Sequence, residues 1–319
     1  MTGSAAPTWV VGAGGLLGRA LVRELRRRQV PVLTQRVPWA DAEEARRALA
    51  AGADAMLRAA DGGPWRVAWC AGAGVTGTAA GVLEQEVRTL HDFLADLESR
   101  GAAPAGSCLF VASSAGGVYA GAGAAPFTEF DEAHSISAYG TAKLNSEQEA
   151  REFAARSGTG VLIGRIANLY GPGQNLAKPQ GLVSHICRSQ ISGQPISVYV
   201  SLDTTRDYLF VDDCAAMIAD GLDRLAIERP AGPVLKILAS QQGVTIGALL
   251  GECRRLFKRA PRVVLGSSPF ARFQVRDLRL RSVVWPELDR RTLTPLGVGI
   301  KATAADLLRS VQLGQRGPG

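Results

Sequence analysis

The 319-residue sequence predicts an α/β chain built on a doubly wound parallel sheet, with a smaller C-terminal lobe. Three observations predict it. The apolar run Thr8 to Val11 leads straight into the glycine turn Gly12-Ala-Gly14-Gly15-Leu-Leu-Gly18 and then into an amphipathic segment. Further apolar runs at 65–70, 108–112 and 161–168 alternate with segments of helical period, as strand–helix–strand units do. From about Leu176 the alternation breaks, which puts the expected division at 1–175 and 176–319.

Composition narrows the function classes. Hydrophobic residues make up 46% and charged ones 20%, ordinary for a folded chain able to bury a large core. The formal charge of +7 comes from arginines spread along the chain. No dense basic block interleaved with aromatics occurs, so no nucleic-acid partner is expected, while an anionic substrate suits the balance. Cys70, Cys108, Cys187, Cys214 and Cys253 are scattered without a CxxC pair. His91, His134 and His185 are isolated, so the reading is free thiols in a reducing compartment and no metal site. No apolar run reaches about 18 residues, and the start lacks a charged and then apolar leader, so a cytoplasmic protein without a membrane partner is expected.

Taken in order, the first strand and glycine turn feed a helix over 19–28 with Leu21, Val22 and Leu25 on one side. Glycines there permit a tight turn and close approach of a pyrophosphate to the helix N-terminus, although a plain strand–helix corner would read the same way. The second strand, 30–36, is followed by no acid until Asp41 and ends on Thr34, Gln35 and Arg36. An acid at that end usually holds the adenosine ribose of NAD. A guanidinium suits the 2′-phosphate of NADP instead, so NADP is expected with NAD as the alternative; an exposed arginine of no function is the rival reading.

Residues 40–60 read as one or two helices, and no clear third strand precedes 65–70, which ends in Cys70, Ala71 and Gly72. An amphipathic helix covers 84–99 (Val87, Leu90, Leu94, Leu97). The strand 108–112 delivers the hydroxyls of Ser113 and Ser114 at its carboxyl end. Beyond a Gly/Ala/Pro loop, Tyr139 and Lys143 stand four apart on one helical face. An ammonium beside a phenol stabilises its phenolate, and such a phenol can pass a proton to or from a sugar hydroxyl. Next come a strand at 161–168, a turn at 169–175, and a strand at 206–213 with Asp212 or Asp213 capping the following helix. Segments 233–239, 263–265 and a helix at 304–311 form an irregular C-terminal region, and the tail 314–319 reads as disordered.

GAGGLLG at 12–18, SSAGGVY at 113–119, PFTEFDEAHSISAYGTAK at 126–143, RIANLYGPGQN at 165–175 and RDYLFVDD at 206–213 occur in that order. Through them the chain resembles the extended short-chain dehydrogenase/reductase family, in its nucleotide-sugar epimerase/dehydratase branch, over roughly 8–225 and more faintly to 310. The resemblance implies a Rossmann domain for NAD(P), to which 206–225 returns, and a C-terminal lobe for a nucleoside diphosphate sugar. It also implies a homodimer built on the helices at 84–99 and 139–156. Carried over, the base is Tyr139 and its lysine Lys143, the substrate asparagine Asn168, and the diphosphate arginine Arg206. Cofactor contacts are expected from Gly12, Gly15, Leu16, Leu17, Gly18, Arg36, Cys70, Ala71, Gly72, Ser113, Tyr139, Lys143 and Ile166. Substrate contacts are expected from Ser114, Asn168 and Arg206.

Departures from the family pattern refine this. Ala115 occupies the position, three before Val118, where many members place the catalytic hydroxyl, and Ser114 lies 139 − 114 = 25 positions before the tyrosine. Ser114 is therefore the expected catalytic serine and Ser113 the second choice. Ala115, Gly116 and Gly117 stand where dehydratases and decarboxylases carry an acid, which argues against those reactions. Glu86 stands where an asparagine is common. The leading expectation is a ketoreductase acting at a ring carbon, C4, of a nucleotide-linked hexose. A 4-epimerase with tightly held NAD is the alternative, and a dinucleotide-binding sensor without turnover the third.

Overall fold

The computed structural model describes residues 5–177, 180–266 and 275–313. The tail at 314–319, read above as disordered, lies outside them. The first half runs β1 (Thr8–Val11), α1 (Leu16–Arg27), β2 (Val32–Thr34), α2 (Ala42–Ala60), β3 (Arg66–Trp69), α3 (Ala80–Ser99), β4 (Cys108–Ser114), the single turn α4 (Ala115–Val118), α5 (Ala138–Ser157) and β5 (Gly160–Ile166). The second half contributes β6 (Asn168–Tyr170), α6 (Leu182–Ser192), β7 (Ile196–Val198), β8 (Thr205–Phe210), α7 (Val211–Glu228), β9 (Val234–Leu238), β10 (Gly243–Thr245), α8 (Ile246–Phe257), β11 (Val263–Leu265) and α9 (Leu296–Gln312).

Six strands form one parallel sheet in the order β2-β1-β3-β4-β5-β9. Alternation along these strands sends Val10, Ala68, Phe110 and Leu162 to one face, where α1 and α7 cover them. It sends Trp9, Val11, Val67, Trp69, Leu109 and Ile163 to the other, under α2, α3 and α5. Both faces are covered, which is why the strands read as continuous apolar runs.

Three readings are corrected. Segment 233–239 is no part of an irregular region: β9 pairs with β5 as the sixth sheet strand. Leu169 and Tyr170 are not in a turn, because β6 pairs with β8 and β8 with β10 in a separate three-stranded sheet. Neither Asp212 nor Asp213 caps α7. Phe210 holds that position, while Asp212 pairs with Arg23 at 2.6 Å and Asp213 accepts from Thr294. The missing third strand is real among the described residues: one 19-residue helix, α2, joins β2 to β3, and β2 forms the sheet edge.

The two sheets are tied together by Asp207. This fully buried carboxyl on β8 accepts from the backbone N–H and hydroxyl of Ser240, just past β9. Burial pushes its pKa up from the ordinary 3.8 to about 6. A carboxyl raised on folding contributes stability that is complete below the unfolded value and is lost as pH rises through the folded one. The loss amounts to about 3 kcal/mol. The urea midpoint of Asp207→Asn should therefore gain on that of the wild type between pH 4 and pH 7. A pH-independent difference between the two proteins would rule this out.

Candidate active site

The carboxyl ends of β1 to β5 open on one edge, where ligands of such sheets collect. At β1 the turn is built by glycine. Gly12 has φ +82°, and a Cβ there would lie 2.7 Å from the backbone nitrogen of Ala71; a Cβ on Gly18 would lie 2.2 Å from the Gly12 carbonyl oxygen. The turn at Gly12 therefore lies against the loop after β3, and the first turn of α1 presses onto that turn. Gly15 caps α1, and no acid in its first turn neutralises the N-terminal N–H groups. Leu16 is half-buried beside them, whereas Leu17 is core and can offer only its backbone.

A cavity of about 580 Å³ lies between this turn and the end of β2. Gly12 and Gly14 form one wall; Arg19, Arg23, Arg26 and Arg36 form much of the rest, with no carboxylate in the lining. Asp41, the first acid after β2, is engaged elsewhere: its side chain accepts from the Glu44 N–H at 2.9 Å and caps α2. Arg19 donates to the Gly173 carbonyl. Spaced four and three apart on the outer face of α1, Arg19, Arg23 and Arg26 were missed from sequence. The signal was there: they lie opposite the buried Leu21 and Leu25.

Farther along the edge stand the hydroxyls and the tyrosine. Ser137 caps α5 by accepting from the Gly140 N–H at 3.1 Å, which places Tyr139 in the first helical turn. The Tyr139 ring packs on α4, 3.1 Å from where a Cβ on Gly117 would stand. Lys143 holds its Nζ 5.7 Å from the centre of that ring and 3.3 Å from the Cβ position of Gly72. Glu86 orders the same loop, its Oε1 accepting from the N–H groups of Ala73 and Gly74 at 2.8 Å each. Cys70, Ala71 and Gly72 thus run past Lys143 and the glycine turn.

The two serines part company. Ser113 is buried and gives its proton to Glu147 Oε1 at 2.6 Å. Ser114 is half-buried and caps α4, accepting from the Gly117 N–H at 3.3 Å, so its own proton is available to another oxygen. Ile166 of β5 pairs with Ser114 of β4. Asn168 follows two residues on and brings Oδ1 3.9 Å from the Cβ position of Gly116. Arg206 stands apart, on β8. It is 7% exposed, Nη1 donates to the Thr205 carbonyl, and burial lowers its pKa against the opposing influence of Tyr208 and Asp277. β8 runs beside β6, with Tyr208 in register with Asn168.

The glycine turn and four arginines make a cleft at a helix N-terminus that can receive an anionic group, and a hydroxyl, a phenol and an ammonium stand farther along the same sheet edge. A model of the "NAD dependent epimerase/dehydratase family" matches residues 8–226. Over 106 residues, 33% of each chain, the sequence is 34% identical to dTDP-4-dehydro-6-deoxyglucose reductase of Escherichia coli. Over 94 residues, 29% of this chain and 26% of the other, it is 34% identical to dTDP-L-rhamnose 4-epimerase of Burkholderia thailandensis. The matched stretch thus spans a third or less of each curated relative. The structure of MoeE5 in complex with UDP-glucose and NAD superposes with a TM-score of 0.77 at 22% identity, covering 96% of this chain and 100% of that one.

Proposed function

The chain belongs to the NAD dependent epimerase/dehydratase family, and from that premise we propose that it is a ketoreductase acting at C4 of a nucleoside-diphosphate hexose with NADPH. The arginine-lined cavity carries the cofactor choice. Arg36, Arg26 and Arg23 border the place where the adenosine ribose of such a fold lies, and the first acid after β2, Asp41, caps a helix. A 2′-phosphate gains charge-assisted hydrogen bonds there, whereas a ribose 2′-hydroxyl lacks its acceptor. The turn at 12–18 would hold the pyrophosphate, and Lys143 with the 70–72 loop the nicotinamide ribose.

A nicotinamide held there would be the source of the hydride that reduces a keto carbon. Tyr139 gives its proton to the oxygen, Ser114 donates a hydrogen bond to the same oxygen, and the Lys143 ammonium stabilises the phenolate left behind. Asn168 and Arg206 would position the sugar and its diphosphate. The absence of an acid at 115–117 removes the group that elimination or decarboxylation would need. Similarity to the E. coli reductase supports this reading.

Similarity to the rhamnose 4-epimerase supports a second: the same residues serving an epimerase with tightly held NAD. Identification of any dinucleotide released on denaturation, followed by titration of the stripped protein, separates the two. The reductase predicts NADPH bound at least about 10-fold more tightly than NADH, with the preference lost in Arg36→Ala/Arg26→Ala, one charged hydrogen bond being worth about 1.5–3 kcal/mol. Co-purified NAD+ would favour the epimerase. A homodimer through α3 and α5 is proposed alongside, and light scattering tests it.

A further inference from the structure

Directly behind Ser114 and Tyr139 lies a buried ion pair that takes no part in the proposed chemistry. Glu147 on α5 and Arg165 on β5 are 2% and 4% exposed. The guanidinium grips the carboxylate with two bonds, Nε to Oε1 at 2.9 Å and Nη2 to Oε2 at 2.8 Å. Ser113, one residue before Ser114 and in register with Arg165, adds its hydroxyl to Oε1. The remaining arm of Arg165, Nη1, donates to the Tyr119 hydroxyl at 2.8 Å, and that hydroxyl donates to the Thr128 carbonyl at 2.7 Å. Tyr119 in turn stacks on Phe127, ring centres 5.0 Å apart.

Placement gives the network its meaning. Tyr139, Lys143 and Glu147 follow at intervals of four, so Glu147 continues the stripe of α5 that carries the proposed chemistry. A buried ion pair is a poor route to stability, because apolar side chains of similar volume stabilise as well without the desolvation cost. Its distinctive property is geometry: a planar fork fixes both distance and rotation between helix and strand. We propose that Glu147 and Arg165 are positioning residues, setting α5 against β4 and β5 so that Tyr139 and Ser114 converge on one substrate oxygen. This inference rests on the ketoreductase reading for its kinetic test.

That test compares wild type, Glu147→Gln and Arg165→Lys with NADPH and a dTDP-4-dehydro-6-deoxy hexose. Misplacement of a reacting group by an ångström costs about 100-fold. Both variants should lose about 100-fold in kcat, while KM and the NADPH dissociation constant stay within about threefold. Arg165→Lys retains the charge but not the fork, so its failure to rescue identifies geometry as the cause. A kcat within threefold of wild type in either variant, or parallel losses in KM and NADPH affinity, overturns the proposal. If neither variant folds, Ser113→Ala removes a single bond to the pair, and an unchanged kcat there overturns it as well. If the wild type binds NADPH but turns over no nucleotide sugar, the functional reading fails. Crystal structures of wild type and Glu147→Gln then decide the positioning role by whether the Tyr139–Ser114 separation changes; an unchanged separation overturns it.

Discussion

Tyr139→Phe is expected to lower kcat by about 10²–10⁴-fold with NADPH affinity unchanged. The substitution removes one oxygen and leaves the ring, which packs against Gly117 and turns its face towards Lys143. Shape and cofactor contacts therefore survive, and only the proton that must reach the sugar oxygen is lost. Stopped-flow measurement of NADPH oxidation under single-turnover conditions isolates that step. Near-full turnover with unaltered binding would remove Tyr139 from the chemistry and send the search to Ser114 alone. Loss of NADPH binding together with turnover would mean instead that the phenol serves mainly to build the cofactor site.

Lys236→Ala is the substitution expected to damage the fold most, by about 3–5 kcal/mol. Lys236 lies in β9 with no exposed surface. Its ammonium donates to Ser282 Oγ at 2.8 Å, the Val284 carbonyl at 2.7 Å and Asp289 Oδ2 at 2.9 Å. Ser282 also donates to Glu129, whose carboxylate takes the backbone N–H groups of Ile237 and Val283. One buried cation thus joins the sixth strand, the segment at 282–289 and the loop leading to α5. Removing it leaves the Asp289 carboxylate buried beside a void, a penalty larger than the worth of the intact pair. Urea unfolding should show a lower midpoint, and Lys236→Met/Asp289→Asn should recover more than half of the loss. A decrease below about 1 kcal/mol in Lys236→Ala would mean that water or a side-chain shift replaces the bonds.

The sheet was legible because its strands are buried on both faces and so read as apolar runs punctuated by glycine. Thr8–Val11 and the turn at 12–18 are the clearest case, since both the close approach to Ala71 and the fit under α1 require glycine there. β6 was not legible. Three residues, Asn168–Tyr170, between a strand and a Gly-Pro-Gly segment carry too little pattern to separate strand from turn. β9 was misplaced for a different reason: five residues with a lysine at the centre say nothing about which edge they will pair with.

By itself the sequence determined the parallel α/β sheet, the glycine turn, the one-face spacing of Tyr139 and Lys143 and the lack of an acid between the second strand and Asp41. These are local properties, written in periodicity and residue type over a few positions. Tertiary structure alone decided which serine keeps a proton to give. Ser113 and Ser114 are neighbours of identical chemistry, and the difference between them is a carboxylate 34 positions away. The arginines converging from α1 and from beyond β2, Asp207 joined to Ser240, and Glu147 clasped by Arg165 belong with it. Each depends on desolvation and on distances between segments remote in the chain. Such distances are set when the helices dock on the sheet, not by any residue's immediate neighbours.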